Sequence, residues 1–217
     1  MEIPLFPLRT VLFPGMALPL RIFEERYKVM MRELLAGDRR FGVLLIREGE
    51  EIGGGAVPFE VGTTAFVEQW EELQGGRYVL NAKGERRFRL VRMLEPRPYP
   101  SGEVELMHTD YRGDEARLQR ALETVRATFP AYFRLALSLT DQWARGLKLP
   151  ADAHDIVDFL GPWLQVDEEV KQRLIEIEAA SDRVGYLAEV LDDLLGRTQS
   201  EVTQYRRKKF DGLGGRN

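Results

Sequence analysis

Nucleophilic side chains are scarce in this chain. It contains no cysteine, which excludes disulfides, thiolate nucleophiles and thiolate metal sites. A catalytic serine needs an exposed position and an adjacent base, but none of the four serines lies in a G-x-S-x-G elbow or has a lysine at a recognisable spacing. We interpret Ser101 as a turn residue and Ser138 as a helix residue. Ser181 is interpreted as a helix N-cap, and Ser200 lies near the tail.

Phosphate and metal sites are not predicted either. A phosphate-binding loop needs a lysine after its glycines, whereas Gly53-Gly54-Gly55 continues as Ala-Val-Pro. The two histidines are His108 and His154. His154 and Asp158 have i,i+4 spacing and could share a helix face, but two ligands do not make a metal site. The sequence therefore predicts no cofactor and no metal ion.

Large apolar side chains are the remaining candidates for a functional site. Apolar area exposed on a surface is typical of sites for protein partners, while packing in the core is the alternative for each such residue. The candidates for peptide binding are Met16, Trp70, Tyr99, Trp143 and Trp163.

Charge gives no overall preference for nucleic acid or for an anionic membrane. The 217 residues carry a net charge of −4. A basic run, Arg206-Arg207-Lys208-Lys209, lies near the C-terminus. We interpret it as a solvated helix end, with phosphate binding as the alternative.

The first half of the chain has the pattern of short strands around one helix. Four prolines punctuate the apolar stretch Ile3 to Leu20, and Pro14-Gly15 predicts a turn between two extended segments. Spacing predicts a helix over Glu24 to Ala36. Further strands are predicted at Phe41–Ile46, Glu60–Trp70, Tyr78–Ala82, Arg87–Leu94 and Glu103–Met107, with Lys83-Gly84-Glu85 as a break. Six or so strands and one helix favour an antiparallel pseudo-barrel.

From Asp114 onward the apolar period is helical. Pro130 is expected to begin a second helix, Gly161-Pro162 to interrupt a third, and Ser181 to cap a long fifth. The seam of that fifth helix is expected to lose its apolar residues past Gly196. The predicted class is α+β, with a β-rich subdomain at 1–112, a helical subdomain at 113–197, and a helix extension with a basic tail at 198–217.

Several short motifs resemble the substrate-binding domain of Lon proteases. They are PLR at Pro7-Leu8-Arg9, FPG at Phe13-Pro14-Gly15, PL at Pro19-Leu20, VGTTA at Val61–Ala65 and GERRFRL at Gly84–Leu90, followed by KQRLIEIEAASDRVGYLAEVL at Lys171–Leu191. The resemblance implies a stand-alone pseudo-barrel and helical bundle without the ATPase and protease modules of Lon. We interpret Gly15, Gly62 and Gly84 as turn residues, and Arg9 and Arg87 as buried or half-buried polar bridges.

The function implied by this resemblance is non-catalytic. We expect a module that binds unfolded or extended polypeptide, by strand addition to a sheet edge or in a cleft between the halves, with a role as an adaptor in protein quality control for a protease or chaperone. The alternatives are an ATP-independent peptidase and a regulator that binds nucleic acid through its basic tail. The absence of a signal peptide and of an 18-residue apolar run predicts a cytoplasmic protein, with the client and the oligomeric state left open.

Overall fold

The computed structural model describes residues 1–94, 97–139, 148–150 and 153–211, with the backbone alone for 153–154 and 206–211. The strands in these residues are β1 (Glu2–Leu8), β2 (Ala17–Ile22), β3 (Arg40–Glu48), β4 (Val57–Leu73), β5 (Arg77–Met93) and β6 (Ser101–Leu106). The helices are α1 (Glu25–Leu35), α2 (Glu115–Leu139), α3 (Ala153–Leu160), α4 (Glu168–Glu176) and α5 (Ala180–Asp211), with a 3₁₀ turn at Gly161–Trp163. The α+β class predicted from the sequence is confirmed.

The chain forms two compact units, each built from two segments. The first, here called the strand unit, comprises Met1–Thr109 and Asp158–Glu178. The second, the helix unit, comprises Asp110–Val157 and Ala179–Asn217. The strand unit thus includes α4, which the predicted subdomain boundaries group with the helices. Those boundaries stay a prediction about parts that fold independently.

All six strands belong to one sheet in the order β2-β5-β4-β3-β1-β6. Because β6 also pairs with β5, five strands close into a ring and β2 lies outside it. Only the β1–β3 pair is parallel among these strands. The ring with one attached strand corresponds to the predicted pseudo-barrel.

Strand β5 has two neighbours along the same edge. Residues 78–83 pair with β2, and residues 88–93 pair with β6. Strand β4 occupies the opposite edge along most of the length of β5. The predicted break at residues 83–85 is wrong, since β5 runs without interruption from Arg77 to Met93.

The FPG turn packs against β5 at Gly84. Gly15 has a φ of 79°, which glycine adopts without strain, so its assignment to a turn is confirmed. Its N–H donates to the Gly84 carbonyl at 2.8 Å, and the Gly84 N–H donates to the Met16 carbonyl at 2.9 Å. The assignment of Gly62 and Gly84 to turns is wrong: both lie in strands, where a Cβ would meet the backbone of a neighbouring segment.

Two apolar clusters fill the strand unit. The smaller lies inside the ring and consists of Ile3, Leu5, Leu44, Phe88 and Val104. The larger joins β2 and α1 to the sheet, and α1 contributes Tyr27, Met30, Met31 and Leu34 to it. The spacing of these four residues puts them on one face of α1. Burying each such side chain stabilises the fold by about 1.5–3 kcal/mol.

Arg87 ties α4 to the barrel. Its guanidinium, 4% exposed, donates to the carbonyls of Ile175 and Ile177 at 2.8 and 2.7 Å and to the Thr109 hydroxyl at 2.7 Å. A cation at a helix C-terminus also interacts favourably with the helix dipole. The predicted bridging role of Arg87 is confirmed.

In the helix unit, α2 and α5 pack against each other. The predicted seam of α5 is buried at Val184, Leu187, Leu191 and Leu194. It does not end at Gly196, because Thr198 and Val202 are also buried. Ser181 is not the N-cap, since α5 begins at Ala180. No helix in the described part of the chain combines the length and apolar character needed to cross a bilayer.

Helix α2 continues through Pro130, so the predicted helix boundary there is wrong. An interior proline removes one backbone hydrogen bond and normally kinks or breaks a helix. Here Phe129 and Tyr132, on either side of it, are both buried. Their packing offsets the local cost of the proline.

We expect Gly84→Ala to destabilise the strand unit, because its Cβ would collide with the backbone carbonyl of Phe13. Overpacking of this kind costs about 1–3 kcal/mol, measurable by urea unfolding. Gly37→Ala is the matched control, since its Cβ would make only ordinary contacts. Equal stabilities of the two variants would contradict this reading of Gly84.

Candidate functional site

A cavity of about 620 Å³ opens in the strand unit between β2, the end of β1, the start of α1 and the β3–β4 loop. We call it the edge cavity. It is lined by Phe6, Leu8, Arg9, residues 19–24, Tyr27 and residues 50–52.

The edge cavity follows the main chain of β2 and the residues after it. Six consecutive residues, 19–24, line it. Along β2, however, Leu18 and Ile22 are buried, whereas Pro19 and Arg21 are exposed, because successive side chains of a strand point to opposite faces. A cavity that touches consecutive residues of both sets must run along the strand's edge.

That edge of β2 has no partner strand among the described residues. Every pairing of β2 is with β5. At the other side of the cavity lies the end of β1. The pairing of β1 with β6 covers only Glu2–Pro4, and Leu5–Leu8 pair with β3, the neighbour of β1 on the opposite edge. An unpaired strand edge presents rows of N–H and C=O groups to which another strand can bond.

The floor of the edge cavity is aromatic. The rings of Phe6 and Tyr27 lie 4.2 Å apart, and the Arg26 guanidinium lies 4.4 Å from the centre of the Tyr27 ring. Both aromatic side chains are buried. Burial raises the pKa of Tyr27 to about 12, against a smaller opposing effect of Arg26.

Two exposed apolar side chains form the lips of the cavity. Phe23 is 55% exposed and Ile52 is 62% exposed. Leu20, in β2, is half-buried against the core. Large exposed apolar side chains beside a concave surface are typical of partner sites. A guest segment placed along the edge would cover them.

Charged side chains on the rim hold the β3–β4 loop, residues 49–55, which we call the strap. Arg9 donates to the Gly49 carbonyl at 2.7 Å and pairs with Glu50 at 3.1 Å. Arg26 donates to the Glu51 carbonyl at 3.1 Å, and Glu24 accepts from the Gly53 N–H at 3.3 Å and from Arg26 at 3.1 Å. Arg9 bridges polar groups as predicted, but its predicted burial is wrong, since 54% of the side chain is accessible.

Those predicted apolar residues that the structure describes do not line the edge cavity. Met16 is half-buried against the core, and Tyr99 is 2% exposed with its hydroxyl donating to Glu33. Trp70, 40% exposed, lies under the Arg39 guanidinium at 4.6 Å, and Trp163 is 50% exposed. Trp143 lies outside the described residues. As binding residues all five stay a prediction.

The cavity residues that sequence reasoning missed are Leu20, Phe23, Tyr27 and Ile52. Leu20 belongs to the PL motif and Tyr27 lies in the predicted helix Glu24 to Ala36, and neither position signals a cavity in the sequence. Phe23 and Ile52 carry no local signal, since their role depends on the edge beside them. The one available signal was the proline content of Ile3–Leu20, because proline in a strand is confined to edges, strand starts and bulges.

The chemistry available in the edge cavity is that of binding. It combines the edge of β2, which pairs with no strand among the described residues, with apolar lips and a rim that donates and accepts hydrogen bonds. Within the described ranges, no three His, Asp or Glu side chains lie together in a way that could hold a metal ion.

Comparison with known proteins identifies the same family over most of the chain. The family model described as ATP-dependent protease La (LON) substrate-binding domain matches residues 2–193. Lon protease of Syntrophus aciditrophicus is 26% identical over 214 residues, covering 93% of this chain and 27% of that protein. Lon protease 1 of Bdellovibrio bacteriovorus is 24% identical, covering 90% and 25%. The chain thus spans about a quarter of the length of these relatives.

Solved structures agree on the fold. A crystal structure of a Lon N-terminal domain protein from Xanthomonas campestris is 27% identical, with a TM-score of 0.60, and the match covers 86% of this chain and 96% of that one. The N-terminal domain of a Mycobacterium avium complex Lon protease has a TM-score of 0.62 at 19% identity, covering 90% and 98%. The resemblance drawn from the sequence motifs is confirmed.

Tyr27→Phe is expected to reduce the loss of stability at alkaline pH. The phenol loses its proton near pH 10 in the unfolded chain and at a pKa of about 12 in the fold. Its contribution is therefore complete below pH 10 and falls as pH rises toward 12, by roughly 2–3 kcal/mol. Urea unfolding at pH 8 and pH 11 measures about half of this loss, roughly 1.4 kcal/mol, because pH 11 lies midway between the two pKa values. Identical losses in the wild type and the variant would contradict the shifted pKa.

Proposed function

This chain belongs to the family of ATP-dependent protease La (LON) substrate-binding domains, and we propose that it binds unfolded or extended polypeptide by strand addition along β2. The edge cavity carries this proposal. It runs beside consecutive residues 19–24 at a strand edge that lacks a partner in the described sheet. In such a site main-chain hydrogen bonds provide affinity and pockets for alternate side chains provide preference.

The composition of the cavity suits segments that are apolar on one side. Leu20 and Phe23 offer apolar contact, and the Phe6–Tyr27 floor lies below them. Exposed apolar residues in an extended conformation are what distinguishes an unfolded chain from a folded one. The site therefore selects for conformation more than for sequence.

The same edge is protected against uncontrolled pairing. β2 spans six residues, includes Pro19, which has no N–H, and exposes Arg21. Short edges, prolines and charges are the usual devices that prevent sheet edges from aggregating. They also limit the number of hydrogen bonds a guest can gain, so binding is expected to be weak and reversible.

We propose that the chain acts without catalysis, as an adaptor that delivers bound segments to a protease or chaperone. The serine hydroxyls support a structural reading: Ser138 and Ser200 donate to helix carbonyls, and Ser101 is buried at the start of β6 rather than in the predicted turn. No observation on the described residues favours the peptidase or the nucleic-acid alternative over the edge cavity.

Backbone methylation of a guest provides the main test. We would measure binding of a blocked nonapeptide of alternating valine and threonine by fluorescence anisotropy, with two derivatives N-methylated on either the valines or the threonines. Strand addition uses alternate N–H groups of the guest, so one derivative should bind about tenfold more weakly and the other almost normally. Equal affinities of the two derivatives would exclude strand addition.

Substitution of the lips tests where the peptide binds. Phe23→Ser should weaken binding about threefold to tenfold, because the apolar contact of this exposed side chain, which lies outside the strap, is lost. Val91→Ser is the matched control: Val91 is also exposed, at 50%, but lies in the part of β5 that pairs with β6. The same loss in both variants would place the peptide elsewhere.

A further inference from the structure

The strap is held over the edge cavity chiefly by its main chain. Three rim side chains contact it at every second residue. The contacts are Arg9 with the Gly49 carbonyl, Arg26 with the Glu51 carbonyl, and Glu24 with the Gly53 N–H. The Ile52 side chain, by contrast, is 62% exposed. The rim thus contacts backbone groups of the strap at alternate residues and leaves the Ile52 side chain free of these contacts.

Arg26 and Glu24 form a fixed donor and acceptor pair. They are joined at 3.1 Å, and their side chains are only 20% and 19% exposed. Stacking of Arg26 on Tyr27 holds the guanidinium in place. A donor aimed at a carbonyl beside an acceptor aimed at an N–H matches what every polypeptide presents, whatever its side chains.

The strap itself is loosely anchored. Four of its seven residues are glycines with positive φ, namely Gly49, Gly53, Gly54 and Gly55. It buries no large apolar side chain, and the Glu50 carboxylate that pairs with Arg9 is 80% exposed. Segments with few buried contacts open at low free-energy cost. Another backbone can therefore compete with the strap for the rim.

We propose that Arg9, Arg26 and Glu24 read the main chain of the guest, and that the strap is the internal occupant which the guest displaces. This inference rests on the proposed function, because it assigns both partners to the edge cavity. It makes recognition of the guest independent of side-chain identity. The strap then sets the affinity threshold that a segment must exceed.

Two substitutions with opposite expected effects test the inference, using the valine and threonine nonapeptide as the probe. Glu50→Gln loosens the strap but leaves the three reading side chains intact, so the peptide should bind about twofold to fivefold more tightly. Arg26→Ala loosens the strap and also removes a reading group, so binding should weaken about tenfold. Tighter binding by Arg26→Ala would show that Arg26 only latches the strap, and would overturn the inference.

Controls separate these effects from folding and from charge. Arg92→Ala removes an exposed arginine that pairs with Glu103 away from the cavity, and should leave the affinity unchanged. Arg26→Lys keeps the charge with a different donor geometry and replaces Arg26→Ala as the test if that variant fails to fold. Its affinity for the peptide should lie below that of the wild type. Intermediate or weaker binding by Arg26→Lys supports the inference, whereas tighter binding contradicts it.

Amide hydrogen exchange reports on the strap directly. Exchange at residues 49–53 should accelerate when the peptide saturates the protein, because the strap is displaced. Unchanged or slower exchange, with the peptide bound, would overturn this inference and leave strand addition intact. Failure of both the wild type and Glu50→Gln to bind the peptide would contradict the proposed function as well.

Discussion

Strand β5 shares one edge between two neighbours, and the architecture of the strand unit depends on that sharing. Its first part pairs with β2 and its last part with β6. Pairing with β6 closes the ring, so within the described sheet β2 pairs along one edge only. Between the two pairings, the Gly84 carbonyl accepts a hydrogen bond from the Gly15 N–H of the FPG turn, and the Gly84 N–H donates to the Met16 carbonyl. The closed barrel and the free edge therefore have the same origin.

A free edge is useful only if it is controlled. Most sheet proteins cover or shorten their edges, since an exposed row of backbone groups invites aggregation. Here β2 is short and carries Pro19 and Arg21, while the strap occupies the rim of the cavity beside it. In the proposed function, these features lower the affinity for any one segment. Weak, reversible binding fits a module that must release what it binds.

Local chemistry predicted the elements whose signals are local. The apolar spacing of α1 and the turn at Gly15 could both be predicted from neighbouring residues, whereas the bridge at Arg87 was expected from its motif and its partners are distant in sequence. Gly84 and Pro130 were misread because each looks like a break, whereas tertiary packing decides both: Gly84 accommodates the FPG turn, and buried aromatic residues hold α2 together around Pro130.

The candidate site could not be predicted from residue types alone. Ranking apolar residues by size pointed to Trp70 and Tyr99, but Tyr99 is buried and Trp70 lies under Arg39 away from the cavity. The cavity is defined instead by a missing neighbour of β2 in the described sheet, which depends on how five other strands pair. Phe23 and Ile52 become meaningful only beside that edge.

The most direct measurement of the central claim is a nuclear Overhauser experiment on the labelled protein with the bound valine and threonine peptide. Our account predicts contacts between α-protons of the peptide and the backbone protons of β2, residues 17–22, in a regular pattern of two-residue steps. Contacts of the peptide with other parts of the chain, and none with β2, would contradict it.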